Sequence, residues 1–138
     1  GTMIKEESIV APFDRSVTVG KIGFANLDHV SDAITTAQSG LEHWRYAPVA
    51  RRAECLRNLA DKLEENLAEL VALCHMEAGK TIHDSIDEVR EAVDFCRYYA
   101  DNAIHLGPES IQGFDGNLQW CERHGRGVFV CISPWNFP

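Results

Sequence analysis

Apolar residues recur every three or four positions through the middle of the chain. The first such series consists of Val30, Ala33, Ile34, Ala37, Leu41 and Trp44. This spacing places them on one face of an α-helix. The series therefore predicts an amphipathic helix that begins near Asn26 or Asp28. It ends before Pro48, because proline is tolerated at the first turn of a helix but not in its interior.

Two further helical segments follow. Residues 48–76 keep the same periodicity, and Asn66 is the expected site of a kink or short break. Gly79 predicts the end of this segment, since glycine tolerates the left-handed conformation just beyond a helix. Thr81 stands at the first position of a capping box and predicts the start of a third helix. The glycine–proline pair at 107–108 predicts where that helix ends.

The two ends of the chain have an extended rather than a helical pattern. Residues 1–7 are expected to be disordered or derived from an expression tag, and residues 8–25 predict one or two strands at a sheet edge. Residues 117–124 predict an extended arm. Residues 128–132, Val-Phe-Val-Cys-Ile, form an apolar run that is typical of a strand buried on both faces in a parallel sheet. No second strand of that type is present, so the chain is predicted to stop within a fold.

Composition narrows the class of protein. The 138 residues are 45% hydrophobic and 25% charged, which is typical of one globular domain. Basic side chains number 13 against 21 acidic ones, a formal net charge of −8, so binding to a nucleic-acid backbone is not expected. No apolar stretch is long enough for a membrane span. The first residues carry no recognisable secretory signal.

The cysteines and histidines do not suggest a metal centre. The five cysteines form no Cys-x-x-Cys pair and the six histidines no His-x-x-x-His pair, so no metal site is predicted. An odd number of thiols is typical of a reducing compartment, and we expect a cytoplasmic protein. Cys131 lies inside the apolar run, where cysteine usually acts as a small core residue.

The last five residues, Pro-Trp-Asn-Phe-Pro at 134–138, directly follow that apolar run. They resemble the signature loop of the aldehyde dehydrogenase superfamily. Residues 47–81 are similar to the N-terminal helices of the family. Residues 88–100 resemble the 1-pyrroline-5-carboxylate dehydrogenase domain of bifunctional bacterial proline-utilisation flavoenzymes. The resemblance covers residues 8–138 and implies an α/β fold. This chain is then the N-terminal part of the domain, mostly α-helical, with an N-terminal extended segment and the first strand of the cofactor-binding fold at its C-terminal end.

The resemblance implies an NAD-dependent oxidoreductase of bacterial proline catabolism. Its substrate is L-glutamate 5-semialdehyde, formed from 1-pyrroline-5-carboxylate, and its product is glutamate. In this family a cysteine thiolate attacks the aldehyde, the thiohemiacetal passes a hydride to NAD, and water hydrolyses the thioester. The position of that cysteine lies beyond this chain, so the chain alone is predicted to be inactive. FAD is implied only if a proline dehydrogenase domain precedes it. The implied partners are the aldehyde, the rest of the parent enzyme and further copies of it.

The resemblance also assigns roles to individual residues. Asn136 corresponds to the donor that stabilises the oxyanion, although asparagine is also a common turn residue. Phe137 corresponds to an aromatic wall beside the substrate. Glu91 corresponds to a glutamate near the substrate entrance, and a solvated helix carboxylate is the alternative. The stretch lining the cofactor cleft corresponds to Ile132, Ser133, Pro134 and Trp135. Lys80 and Arg97 are expected to be solvated.

Two other interpretations remain open. The parent enzyme can belong to another aldehyde dehydrogenase subfamily with a different substrate. Alternatively, the three predicted helices form a non-catalytic module that pairs with a partner. The apolar run at 128–132 counts against a module, because it would leave an unpaired strand edge that is prone to aggregation.

Overall fold

A β-hairpin, four helices and a second hairpin follow one another along the chain. The computed structural model describes residues 5–113, 116–134, 136 and 137. The strands are β1 (Lys5–Ala11), β2 (Asp14–Phe24), β3 (Glu109–Gln112) and β4 (Leu118–Cys121). The helices are α1 (Leu27–Tyr46), α2 (Val49–Glu65), α3 (Leu67–Ala78) and α4 (Ile82–His105). In the described part of the chain, none of these helices is long and apolar enough to cross a membrane.

The strands form two antiparallel pairs in the described residues, β1 with β2 and β3 with β4. The first pair confirms the extended pattern predicted for residues 8–25. It begins at Lys5, inside the segment 1–7 for which no structure was expected. Its register shifts on either side of Val10, which bends the hairpin next to the turn at Pro12 and Phe13. Within the predicted arm, residues 118–121 form β4.

The helix boundaries follow the local signals in the sequence. Asn26 caps α1, because its side-chain oxygen accepts from the backbone N–H of His29 at 2.9 Å and its own N–H donates to Nδ1 of His29 at 3.2 Å. The expected break at Asn66 separates α2 from α3. Thr81 caps α4 by accepting from the N–H of Asp84 at 3.1 Å. The predicted helices are therefore confirmed, with the middle segment divided in two.

The core lies between α2, α3 and α4 and consists of small side chains. Its buried members on these helices are Ala53, Ala60, Val71, Val89, Val93 and Ala100. Small residues let α2 and α4 approach closely along their length. Ser85 is also buried, and its hydroxyl is satisfied by donating to the carbonyl of Thr81 at 2.7 Å.

Two apolar surfaces lie outside this core. No residue of α1 is buried, and Trp44 on its apolar face is 48% exposed. The strand predicted at 128–132 is not formed: these residues belong to neither helix nor strand, and Ile132 is 87% exposed. The predicted core position of Cys131 is also wrong, because that residue is exposed. A parallel strand needs a neighbour on each side, and the described residues supply none.

Candidate functional site

A cleft along the N-terminal half of α4 brings together residues from distant parts of the chain. Its volume is about 420 Å³, and its lining consists of Lys80, Asp84, Asp87, Glu88, Glu91 and Phe137. Two of these, Glu91 and Phe137, are the residues that the sequence suggested for the substrate side of the site. The fold therefore places both of them on one cleft, although they come from a helix and from the C-terminal segment.

Lys80 is the residue that joins the two walls of this cleft. Its side chain is only 20% exposed, and its ammonium pairs with Glu88, whose side chain is 14% exposed. The same ammonium donates to the backbone carbonyl of Asn136 at 3.2 Å. It also lies 5.3 Å from the centre of the Phe137 ring, within the range of a cation–π contact. The expectation that Lys80 is solvated is therefore wrong.

The end of α3 and the first hairpin hold the backbone of Lys80 in place. Gly79 ends α3 in the left-handed conformation, with φ 68°, and so turns the chain towards α4. Nδ1 of His75 lies 2.7 Å from the carbonyl oxygen of Lys80. Because a carbonyl oxygen only accepts, this nitrogen must carry the hydrogen. The His75 ring is in turn stacked on Phe13 of the first hairpin, with 5.7 Å between ring centres.

Asn136 and Phe137 form a turn at the edge of the cleft. The N–H of Phe137 donates to the carbonyl of Pro134 at 3.1 Å. The backbone carbonyl of Asn136 is engaged by Lys80, while Asn136 itself is exposed. Phe137 is 52% exposed.

The residues suggested for the cofactor side lie just before this turn. Ile132, Ser133 and Pro134 are exposed and belong to no helix or strand. Trp135 lies outside the described residues, so its suggested place in the cofactor cleft has no structural counterpart here. Glu91 is exposed on α4, as the solvated-carboxylate alternative also requires. The structure thus places Phe137 and Glu91 on one cleft, and joins Asn136 to it through the contact between its carbonyl and Lys80.

The cleft is acidic, with four carboxylates and one ammonium in its lining. Glu88 is paired with Lys80, and Asp84 accepts from the Thr81 hydroxyl at 2.7 Å. Asp87 is 3.5 Å from the imidazole of His83. Among the residues that the structure describes, no cluster of His, Cys, Asp and Glu is arranged to hold a metal ion. The excess negative charge suits a cationic group on a ligand.

The cysteine nearest to the cleft is a poor nucleophile. Cys74 lies on α3, and burial raises the pKa of its thiol, which the Glu88 carboxylate raises further. A thiol with a raised pKa carries little thiolate near neutral pH. Cys74 is therefore suited to packing rather than to covalent catalysis.

Arg97 was also expected to be solvated, and the structure agrees with this expectation in part. It is 43% exposed and bridges two carboxylates of α2, Asp61 at 3.2 Å and Glu64 at 2.5 Å. The surface location is therefore correct, but the guanidinium ties α4 to α2 rather than lying in water alone.

Comparison with known proteins identifies the family. The aldehyde dehydrogenase family profile matches residues 3–138, and the chain belongs to this family. It is 33% identical over 129 residues to 1-pyrroline-5-carboxylate dehydrogenase 2 of Bacillus subtilis, a match covering 93% of this chain and 25% of that protein. It is 35% identical over 131 residues to the bifunctional protein PutA of Escherichia coli, covering 94% of this chain and 9% of that protein.

A solved structure gives the same result. The chain superposes on proline utilization A from Bdellovibrio bacteriovorus with a TM-score of 0.93 and 34% sequence identity, covering 97% of this chain and 14% of that one. The sequence resemblance is therefore confirmed, and with it the aldehyde dehydrogenase-like fold. The chain spans about a quarter or less of the length of these relatives.

Lys80 is the site residue that the sequence did not reveal as such. The available signal was local: a lysine directly after a helix-ending glycine and directly before the cap of α4, with Glu88 eight residues further on. That signal places the ammonium near the first turns of α4. Its contact with Asn136 spans 56 residues and has no local signature.

Proposed function

We propose that this chain is the N-terminal part of an NAD-dependent aldehyde dehydrogenase that oxidises L-glutamate 5-semialdehyde to glutamate. The observation that carries this proposal is the turn at Asn136 and Phe137, set on the same cleft as Glu91. Relatives named 1-pyrroline-5-carboxylate dehydrogenase and PutA support the choice of substrate. The semialdehyde carries an α-ammonium and an α-carboxylate group, and the acidic lining of the cleft complements the ammonium.

In the proposed reaction the role of Asn136 is electrostatic. When a nucleophile adds to the aldehyde, the carbonyl oxygen gains negative charge, and the exposed amide of Asn136 donates a hydrogen bond to it. A neutral amide donates this hydrogen bond without gaining or losing a proton itself. Phe137 offers its ring to the carbon chain of the substrate, and Glu91 contributes negative charge toward the ammonium group.

The residues present are compatible with the proposed dinucleotide. Residues 132–134 are exposed and belong to no strand. Backbone groups of Ile132 and Ser133 are therefore available to form hydrogen bonds with the dinucleotide. When bound, NAD supplies the hydride acceptor. We place the nucleophilic cysteine and the base for thioester hydrolysis in the remainder of the family's domain. The whole enzyme is proposed to be an oligomer, with FAD only if a proline dehydrogenase domain precedes this part.

The test compares the full-length protein with its Asn136→Ala variant, using NADH formation from 1-pyrroline-5-carboxylate. Loss of one oxyanion donor is expected to lower kcat by about 10²–10³-fold. Asn58→Ala, at an exposed position of α2, is the matched control and is expected to leave kcat unchanged. Equal turnover by native and Asn136→Ala protein contradicts the assigned role.

The same assay decides between substrates. Relatives include an alpha-ketoglutaric semialdehyde dehydrogenase of Bacillus subtilis, 32% identical over 139 residues. Succinate semialdehyde and α-ketoglutaric semialdehyde are therefore tested beside 1-pyrroline-5-carboxylate. We expect the highest kcat/KM for the last of these. A preference for either of the others overturns the substrate assignment while leaving the aldehyde dehydrogenase chemistry in place.

A further inference from the structure

Lys80 makes three contacts at once, and together they fix the turn that carries Asn136. Its ammonium pairs with Glu88, donates to the carbonyl of Asn136 at 3.2 Å and faces the Phe137 ring. We propose that Lys80 is a positioning residue, which holds the Asn136–Phe137 turn so that the Asn136 amide points at the reacting oxygen. This inference rests on the proposed function of Asn136.

Burial makes the position of the ammonium well defined. A lysine side chain in water samples many rotamers, but this one is 20% exposed and is paired with a carboxylate that is 14% exposed. An ammonium has three donors, so pairing with Glu88 leaves others for the Asn136 carbonyl. A charge-assisted hydrogen bond to that carbonyl is stronger than a neutral one. Lys80 therefore restrains the turn more firmly than a neutral side chain would.

The backbone of Lys80 is restrained as well. Gly79 sets the direction of the chain, and the imidazole of His75 holds the Lys80 carbonyl at 2.7 Å. The ammonium is thus connected through a mostly buried side chain to the α3–α4 junction. Movement of the turn relative to α4 must break the contacts of Lys80.

The consequence for the reaction follows from geometry. Lys80 contacts the backbone carbonyl of Asn136 rather than its side-chain amide, so we infer that it acts through Asn136 rather than on the substrate. The direction of the amide depends on the backbone that carries it. A misplacement of about 1 Å in a reacting group can cost about 10²-fold in rate.

A structural test needs no turnover. Hydrogen exchange is measured on the full-length protein for the peptide covering residues 133–138. Lys80→Met, which keeps most of the unbranched side chain and removes its charged end, is expected to speed exchange of this peptide about tenfold. Lys62→Met is the matched control, since Lys62 is 69% exposed and pairs with Glu65 on α2. Unchanged exchange in Lys80→Met overturns the proposal.

A kinetic test separates positioning from other roles. Lys80→Met is expected to lower kcat by about 10–100-fold with little change in KM for the aldehyde. Lys80→Arg, which keeps the charge, is expected to recover part of the loss. Combined with Asn136→Ala, Lys80→Met is expected to lower kcat little further, because the effect of Lys80 on kcat is proposed to pass through Asn136. Additive losses, or a rise in KM alone, overturn the proposal.

The two proposals fail in different ways. If the native protein does not oxidise 1-pyrroline-5-carboxylate, the proposed substrate is wrong, and the exchange experiment still decides the role of Lys80. If the native protein is active but Lys80→Met behaves like Lys62→Met in both experiments, only the positioning role is wrong. If the Lys80→Met protein does not fold, Lys80→Gln and Lys80→Arg are used instead. Exchange of the peptide is then expected to be faster in Lys80→Gln, which lacks the charge, than in Lys80→Arg, which keeps it.

Discussion

Gly79 is the residue at which the first hairpin, α3 and α4 meet. Its φ of 68° lies in the left-handed region, which is energetically unfavourable for any residue that has a side chain. A Cβ at this position would also lie 3.0 Å from Cγ of Pro12 in the hairpin turn. Glycine is therefore required here for two independent reasons, its conformation and the close approach of Pro12. The direction of Lys80 depends on it.

Gly79→Ala is expected to lower the free energy of unfolding by about 1–2 kcal/mol. The added methyl group imposes left-handed strain and pushes against the Pro12 ring. Gly40→Ala is the control, because Gly40 lies within α1 with open space around its Cβ position. That change is expected to stabilise by about 0.5–1 kcal/mol. Denaturant unfolding of both variants measures the difference, and equal effects would show that Gly79 is not required.

At the scale of elements, α2 and α4 are joined by a small-residue core and by ion pairs at its edge. Arg57 of α2 lies 2.6 Å from Asp101 of α4. Arg97 of α4 reaches Asp61 and Glu64 of α2. Hydrogen bonding to Arg97 lowers the pKa of Glu64, and hydrogen bonding to Glu64 raises that of Arg97. Because these ion pairs are exposed, each contributes little to the stability of the fold. All of them join the same two helices, so their contributions act on the same contact.

The lowered pKa of Glu64 predicts a pH dependence. Its ordinary value is 4.5, and the folded value lies below that. Its stabilising contribution is therefore fully present above pH 4.5 and is lost as the pH falls through the folded pKa. Glu64→Gln is expected to be less stable than native protein at pH 7, and the difference should shrink as the pH falls below 4.5. Urea unfolding across this range measures it.

Glu54→Gln serves as the control for this pH series, since Glu54 is exposed on the same helix. It is expected to leave stability unchanged across the same pH range. A difference between native and Glu64→Gln protein that does not shrink as the pH falls below 4.5 contradicts the assignment to the Arg97 pair.

The elements also show which features the sequence could predict. Helix ends are set by neighbours within four residues, so Asn26, Thr81 and Gly79 identified them correctly. The apolar run at 128–132 has a strand pattern, but a ladder depends on strands that the described residues do not contain. Of the side chains that line the cleft, Glu91 and Phe137 were suggested by the resemblance to a family. The role of Lys80 needed three-dimensional information, because its partner Asn136 is 56 residues away.

At the scale of the whole molecule, the exposed apolar surfaces are consistent with a larger enzyme. The apolar face of α1 and the run at 128–132 are both exposed, which is costly for a protein in water. The relatives are at least about four times longer in the matches reported above, so they contain additional chain that can cover such surfaces.

The chain of 138 residues alone is expected to form no NADH from 1-pyrroline-5-carboxylate. In the proposed division of roles it supplies the Asn136 donor, and we place the nucleophile in the remainder of the family's domain; the raised pKa of Cys74 disfavours that thiol as a substitute. The measurement compares the chain with the full-length protein at equal concentration. Cys131→Ser is included because Cys131 is exposed and close in sequence to Asn136. NADH formation by the chain that disappears in Cys131→Ser would make Cys131 the nucleophile and contradict the division of catalytic groups proposed above. Formation that persists in Cys131→Ser would contradict it as well, and would require another group within these residues to attack the aldehyde.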